Sequence, residues 1–480
     1  MTGGRWRSAI VPEWSSRNFT LVFSARVAMS AGRALAGVVT PIYLALEGFG
    51  AFEISEYVLA VAAMSAVLSA VVGLFADRVG RKPFLVVMPM FTAAAGLVFA
   101  FSGWAPLLFL LGALGSFGRG AGAGAGAVGP YQPAESALAV DIVPARHRNS
   151  VFGRLSFGSS AGATVGGLMA LLAPSSVVHG AVATSHFRGA FLAVATVSLL
   201  AGLLALGLHE PGRAGQVEDG GASPQAGGRR PGLFRGGFPR RSRWLLYRLW
   251  ATNTLNGMAV GMFGPFITYW FYRRYGVSAA EIGTLFAVIN VVTMASTLSA
   301  AGMARRWGLV RTVSVVRTAQ AVLLVPMVLA PSFWLAGAVY LVRMAVQRIG
   351  LPLRQSYATG LADPSERASV AALSNLPSQL AMAASPLLTG YLFEEVGLAL
   401  PFEVAAVLQF SNAATFWALF RNHPPEEERR APGAGTEAAP AAGTSAGGQL
   451  LESEGAEAYA ECRTGRGGPP ALPPPRAPHA

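Results

Sequence analysis

A succession of long apolar segments is the feature that most restricts the fold of this chain. A helix that crosses the hydrocarbon core of a bilayer needs about 20 mostly apolar residues. Only 13% of the 480 residues are charged, well below the roughly 25% of a soluble chain. We therefore expect an all-α polytopic membrane protein. Its twelve predicted transmembrane helices lie near residues 19–46, 56–75, 83–102, 104–129, 150–173, 187–208, 246–271, 279–302, 312–330, 332–352, 368–392 and 398–420.

The spacing of these segments divides the chain into two halves. A stretch rich in Gly, Pro and Arg separates the sixth segment from the seventh, and a stretch rich in Ala, Gly, Pro and Glu follows the twelfth. Such compositions do not bury a core, so we expect a solvated linker and a disordered tail. The predicted organisation is an N-terminus (1–18), a six-helix bundle (19–208), a linker (209–243), a second six-helix bundle (244–421) and a tail (422–480).

An internal repeat relates the two halves. The segments Pro133–Val151 and Pro352–Val370 align at an offset of 219 residues, and Arg148 then coincides with Arg367. A second echo relates 73–82 to 301–310. A repeat of this size predicts two pseudo-symmetric bundles with the same fold.

The net charge of +13 comes from loops on one side of the predicted helices. Basic residues fill the alternate loops on the side of the termini, whereas the opposite loops are mainly acidic. Loops rich in Arg and Lys mark the cytoplasmic side, so we expect a plasma-membrane protein with both termini in the cytoplasm. Because loops account for the charge and no soluble domain is present, we expect no nucleic-acid partner. The single lysine, Lys82, among 37 basic residues is typical of a GC-rich bacterial genome.

The loop between the second and third segments reads GLFADRVGRK. Its glycines permit a tight turn and a close approach of helices. Asp77 can face a helix N-terminus across the interface between the halves, where a carboxylate is favoured. Arg81 is expected to pair with Asp141, the nearest acidic residue on that face. The predicted gating loop therefore comprises Gly73, Asp77, Arg78, Gly80, Arg81 and Asp141.

Two further patterns lie inside predicted helices. Arg119 stands in a Gly-rich part of the fourth segment, and glycines recur along one face of the fifth segment. Such glycines either allow close packing or make the helix pliable, and the sequence leaves both readings open. The glycines are Gly158, Gly162, Gly166 and Gly167.

These motifs together resemble the major facilitator superfamily, over about residues 19–421. The glycine pattern of the fifth segment is similar to that of its bacterial drug-efflux antiporter branch, which has Pro where this chain has Ala163. The resemblance implies alternating access between two bundles, a substrate site at mid-membrane, and a gating loop that latches the cytoplasmic side. It favours export of small, partly apolar compounds.

Polar residues within apolar segments are candidates for the transport path, because ionisable groups in a membrane are costly. The alternative is a structural role: the residue makes a hydrogen bond between helices, or an Arg side chain extends to the membrane surface. The candidates are Arg33, Arg119, Asn253, Asn256, Asn290, Arg343 and Gln379.

The positions of the acidic residues indicate whether transport can be coupled to protons. There are 24 of them, and those in the helical region map to loops or helix ends. Glu135, near the end of the fourth helix, is the best candidate proton carrier. Arginine does not deprotonate in proteins, so buried Arg without matching acids would instead suit an anionic substrate.

We therefore expect a secondary active transporter that moves a small molecule by alternating access, with efflux of partly apolar compounds as the leading function. One alternative is an organic-anion uniporter or exchanger that uses buried Arg. Another is a non-transporting membrane receptor or scaffold with the same fold. With a single cysteine, Cys462, and no nucleotide-binding loop, we expect no enzymatic activity, cofactor or metal site. The expected partners of a monomer are the lipid bilayer, a small-molecule substrate and protons.

Overall fold

A computed structural model describes residues 16–118, 129–142, 148–173, 184–209, 242–296, 309–361, 370 and 373–421. All of them belong to one unit, Met1–Glu428. The described part is helical and contains no β-strand. Its first half holds α1 (Arg17–Leu46), α2 (Ala51–Val79), α3 (Lys82–Phe101), α4 (Ala105–Leu114), α5 (Gln132–Ile142), α6 (Arg148–Met169) and α7 (Arg188–Leu206). Its second half holds α8 (Arg243–Phe263), α9 (Ile267–Tyr275), α10 (Ala279–Ser296), α11 (Leu309–Val322), α12 (Leu324–Leu329), α13 (Phe333–Leu361), α14 (Leu376–Glu395) and α15 (Leu400–Phe420).

Each of the twelve predicted segments overlaps a helix; two of them are divided between two helices, and in the fourth the helix ends early. The fourth was expected to be one helix over 104–129; instead α4 ends at Leu114 and a turn follows. Ser116 and Gly118 in that turn have positive φ angles of 50° and 74°, which stop a right-handed helix. Carbonyl groups freed there are hydrogen-bonded by Thr92 and Tyr57, as a membrane interior requires. The seventh and ninth predicted segments divide into α8 with α9 and α11 with α12.

Seven stretches of the described residues are long and apolar enough to span a membrane. The remaining helices are shorter or more polar. The chain is therefore a multi-pass membrane protein. The seven stretches are Arg17–Leu46, Ala51–Ala76, Lys82–Phe101, Val151–Leu172, Arg188–Leu206, Ala279–Ser296 and Val310–Leu329.

The two halves repeat the same pattern of helix pairing. In the first half α1 packs on α6 and α7, and α3 packs on α7. In the second half α8 packs on α14 and α15, and α11 packs on α15. The contacts between the halves are also paired, with α6 against α10 and α2 against α14. This correspondence confirms the two pseudo-symmetric bundles that the internal repeat predicts.

The two ends of the bundle differ in how the halves meet. We call the end with Ser16 and Arg421 the termini end, where Asn18 bonds the backbone of His209, and we call the opposite end the far end. At the far end the buried apolar residues of both halves form one continuous cluster. At the termini end each half has its own cluster. The far-end turns are 47–50, 102–104, 276–278, 330–332 and 396–399.

The glycines of α6 serve two different contacts. Gly158, Gly162 and Gly166 face α1, where a Cβ at Gly166 would strike the backbone carbonyl of Ala31. Gly167 instead faces α10 of the other half, against the carbonyl oxygen of Gly283. The expectation that all four lie on one face is therefore wrong, because residues 166 and 167 are about 100° apart around a helix.

We predict that Gly166→Ala destabilises the protein and that Gly153→Ala does not. Both glycines lie in α6, but a Cβ at Gly153 meets open space, whereas one at Gly166 meets α1. Overpacking of this kind costs about 1–3 kcal/mol, and Ala otherwise favours a helix over Gly. Thermal unfolding of the two purified variants in detergent, followed by tryptophan fluorescence, measures the difference. Equal midpoints would contradict the tight α1–α6 contact.

Candidate functional site

The predicted gating loop lies at the termini end, between α2 and α3. Gly80 ends α2 with a φ angle of 106°, a conformation that favours glycine. Arg81 and Asp141 form a partly exposed ion pair that joins this turn to α5. Arg78 is exposed, and a Cβ at Gly73 would meet no neighbour. The backbone of Asp77 belongs to the last turn of α2, and its side chain lies outside the described part of the molecule.

A buried ion pair occupies the interior of the first half. Arg26 of α1 donates two hydrogen bonds to Glu135 of α5, from Nε to Oε1 at 2.8 Å and from Nη2 to Oε2 at 2.5 Å. Its Nη1 donates to Oγ of Ser159 in α6, at 3.3 Å. Arg26 is 8% exposed and Glu135 is 2% exposed. Removing either partner would leave an uncompensated buried charge, so the pair ties α1, α5 and α6 together.

Arg33 lies two turns from Arg26 on α1 and is also buried. Its guanidinium lies against Gly129, where a Cβ would collide with Nη1. Tyr131, buried just before α5, interacts electrostatically with Arg26, Arg33 and Glu135. The first half therefore contains a polar group of two cations, one carboxylate and one phenol. A small cleft beside Arg26, Tyr131 and Glu135 is otherwise lined by apolar side chains of α1, α3 and α7.

The interior of the second half holds a network of amides and two buried cations. Gln409 Nε2 donates to Asn256 Oδ1 at 3.4 Å and to Gln320 Oε1 at 3.5 Å. Asn412 Nδ2 donates to Asn256 Oδ1 at 3.5 Å and its Oδ1 accepts from Arg317 Nη1 at 2.6 Å. These hydrogen bonds connect α8, α11 and α15 through amide groups and a guanidinium.

Arg343 of α13 joins this network and is fully buried, with 0% exposure. Its Nε donates to the backbone carbonyl of Gln320 at 3.2 Å, and its guanidinium lies 4.0 Å from the ring centre of Phe263. Its Nη2 has no hydrogen-bond partner among the described residues. Among the described residues, the ion pairs are Arg26 with Glu135 and Arg81 with Asp141, and neither pair includes Arg343.

The other predicted path residues that the structure describes have no hydrogen bond to either group. Asn253 Nδ2 donates to the carbonyl of Ser374 at 2.8 Å, between α8 and the start of α14. Asn290 donates to the carbonyl of Phe286 in its own helix. Gln379 is exposed, and Arg119 lies outside the described residues. In the same described part, no group of His, Cys, Asp and Glu is suited to hold a metal ion.

Sequence reasoning missed the residues that complete these groups. It did not single out Arg26, and it expected acids to lie away from buried Arg, which is wrong for Glu135. A usable signal was present: polar residues recur three or four positions apart within single helices, so that they share a face. The overlooked residues are Arg26, Ser159, Arg317, Gln320, Gln409 and Asn412.

Comparison with known proteins identifies the family whose profile matches this chain. The family profile described as Major Facilitator Superfamily matches residues 22–346 and 249–454. A comparison with curated protein sequences gives no match.

Several solved structures share the fold at low sequence identity. An inward-facing, unoccupied bacterial homolog of the human lysosomal transporter Spinster aligns with a TM-score of 0.64 and 16% identity, over 88% of this chain and 100% of that one. The nucleoside transporter NupG aligns with a TM-score of 0.63 and 14% identity, over 85% and 100%. The xylose transporter XylE from E. coli, in an inward-open conformation, aligns with a TM-score of 0.62 and 13% identity, over 86% and 98%.

We predict that breaking the Arg26–Glu135 pair costs more than removing it. Arg26→Met or Glu135→Leu alone leaves one buried charge and should lower the free energy of unfolding by about 3–5 kcal/mol, whereas the double variant should lose less. The partly exposed pair is the matched control, because Arg81→Met should cost about 0–1 kcal/mol. Thermal or denaturant unfolding of the five proteins measures these values. Additive losses in the double variant would show that the two side chains do not depend on each other.

Proposed function

Because the chain belongs to the major facilitator superfamily, we propose that it is a proton-coupled secondary transporter that moves a small molecule by alternating access. Members of this family are transporters and not enzymes. The observation that carries the coupling proposal is the buried Arg26–Glu135 pair. The sequence places the acids of the helical region at loops or helix ends, whereas in the structure Glu135 is a titratable acid buried inside the first half.

Proton binding at Glu135 changes the charge of that interior. With Glu135 ionised, the pair is neutral overall and its hydrogen bonds are satisfied. A proton on Glu135 leaves the Arg26 charge without a counter-charge, which is unfavourable in a buried site. The two protonation states therefore favour different arrangements of α1, α5 and α6, and this difference links a proton gradient to conformation.

The proposed direction is efflux, with both termini in the cytoplasm of a bacterial plasma membrane. The basic loops lie on the side of the termini, which the charge rule places in the cytoplasm. In that orientation the far end, where the halves share a core, is the extracellular end, and the molecule faces inward. The glycines of α6 that resemble the efflux branch support export of small, partly apolar compounds by a monomer. The gating loop with Asp77 is proposed to close the cytoplasmic side.

A second candidate function is transport of organic anions. The observation that favours it is Arg343, a fully buried cation with an unbonded Nη2 and no carboxylate among its hydrogen-bond partners in the described part of the chain. An anionic substrate group would neutralise that charge. If the purified protein transports no solute, a receptor or scaffold role is favoured instead.

We predict that Glu135→Gln removes the effect of a pH gradient on flux. The protein is reconstituted in liposomes, and flux of ethidium, chloramphenicol and carboxyfluorescein is followed with and without an imposed gradient. The variant should retain exchange at equal pH, because Gln preserves the shape of the side chain but carries no titratable proton. Glu403→Gln, at an exposed carboxylate of α15, is the control and should behave as wild type.

Two outcomes would contradict the proposal at different levels. Unchanged gradient-driven flux in Glu135→Gln would remove this residue from the proton path while leaving transport intact. Absence of flux for all three probes in the wild-type protein would favour the receptor or scaffold.

For the anion reading, we predict that Arg343→Gln weakens binding of carboxyfluorescein by about tenfold or more, as loss of a charged hydrogen bond does. Binding of neutral chloramphenicol should not change. Arg343→Lys keeps the charge and is the matched variant, which should retain much of the affinity. Fluorescence anisotropy and calorimetry measure the two affinities. Equal anion binding by wild type and Arg343→Gln would reject this reading.

A further inference from the structure

At the far end, the carboxylate of Glu394 in the second half accepts a hydrogen bond from the first half. Glu394, in the last turn of α14, accepts a hydrogen bond from the backbone N–H of Phe52, at 2.9 Å from N to Oε1. Phe52 is the second residue of α2, which begins at Ala51. The first N–H groups of a helix have no partner within that helix. Glu394 therefore caps a helix of the opposite half.

The start of α2 is built to receive this side chain. Its N-cap residue is Gly50, which has no side chain of its own to serve as a cap. The Glu53 carboxylate bonds the N–H of Gly50 at 2.9 Å, which leaves the N–H of Phe52 to Glu394. A Cβ at Gly50 would collide with Oε1 of Glu394. The positive end of the α2 dipole favours the carboxylate there.

The same two helices are also in tight contact one turn away, at Gly390. A Cβ at Gly390 of α14 would meet the backbone carbonyl of Ala51 and the hydroxyl of Ser55. Since α2 belongs to the first half and α14 to the second, the far end does not open without breaking the bond between Glu394 and Phe52.

We propose that Glu394 is a latch of the far end, engaged while that end is closed and released when it opens. This inference rests on the proposed alternating access. Helices α2 and α14 run antiparallel, and each has an acidic residue near its own C-terminus: Asp77 on α2 and Glu394 on α14. Each helix also presents its N-terminus at the end where the other helix carries its acid. In the proposed cycle Glu394 is engaged while the far end is closed, and Asp77 is expected to be engaged while the opposite end is closed.

The test measures the opening of each end directly. In a Cys462→Ser background, spin labels replace Trp104 and Trp334, which are exposed near the far-end turns of the two halves. A second labelled protein carries the pair at Phe152 and Trp417, exposed near the termini end. Distances in lipid nanodiscs are measured by double electron–electron resonance at several pH values. No substrate is needed.

The expected result is a shift of population toward an open far end. Glu394→Ala should raise the ratio of open to closed far ends about threefold to tenfold, the usual effect of losing a charged helix cap. Gly50→Ala, which keeps Glu394 but blocks its approach, should do the same, and Glu394→Gln should have a smaller effect. Glu395→Ala, at the neighbouring exposed carboxylate, is the control and should match wild type. Monodisperse elution and unchanged helicity establish that each variant folds.

The outcomes separate the latch from the proposed function. If both ends interconvert but Glu394→Ala and Gly50→Ala match wild type, the latch is rejected and alternating access stands. If neither labelled pair changes distance in any variant or at any pH, alternating access itself is rejected, and the latch with it.

Discussion

The rest of the molecule depends on the joint between the halves at the far end. Lipid provides no hydrophobic force that holds helices together, so the joint relies on close packing of small residues and on hydrogen bonds. Gly167 against Gly283 and Gly390 against Ala51 bring backbones into contact across it. One apolar cluster is shared by both halves at the far end, whereas each half has its own cluster at the termini end. The two halves are therefore joined mainly at the far end.

The symmetry of the helices is not matched by symmetry of charge. The first half buries a cation and a carboxylate together, whereas the second half surrounds Arg317 and Arg343 with amides, carbonyls and aromatic rings. A carboxylate can gain or lose a proton in the physiological range, but an arginine stays charged. Among the described buried side chains of these two groups, the titratable carboxylate, Glu135, therefore lies in the first half, and the arginines of the second half stay charged.

Sequence reasoning predicted the helical segments and the two related bundles, because apolar length and an internal repeat are properties of local sequence. It did not predict that the helix of the fourth segment ends at Leu114, since Ser116 takes a positive φ angle that its residue type does not predict. It identified Glu135 but not its partner, because Arg26 is 109 residues away and only the packing of α1 on α5 brings them together. The cap by Glu394 was invisible for the same reason: it joins residues 342 positions apart.

Helix α6 joins two features that have been described separately. Ser159 receives a hydrogen bond from Arg26, and Gly167 contacts α10 of the other half. The two positions are eight residues apart on one uninterrupted helix, a distance of about 12 Å. The hydrogen bond from Arg26 and the contact with α10 are therefore made by the same helix, about two turns apart. The buried ion pair of the first half and the joint between the halves thus share one helix, α6.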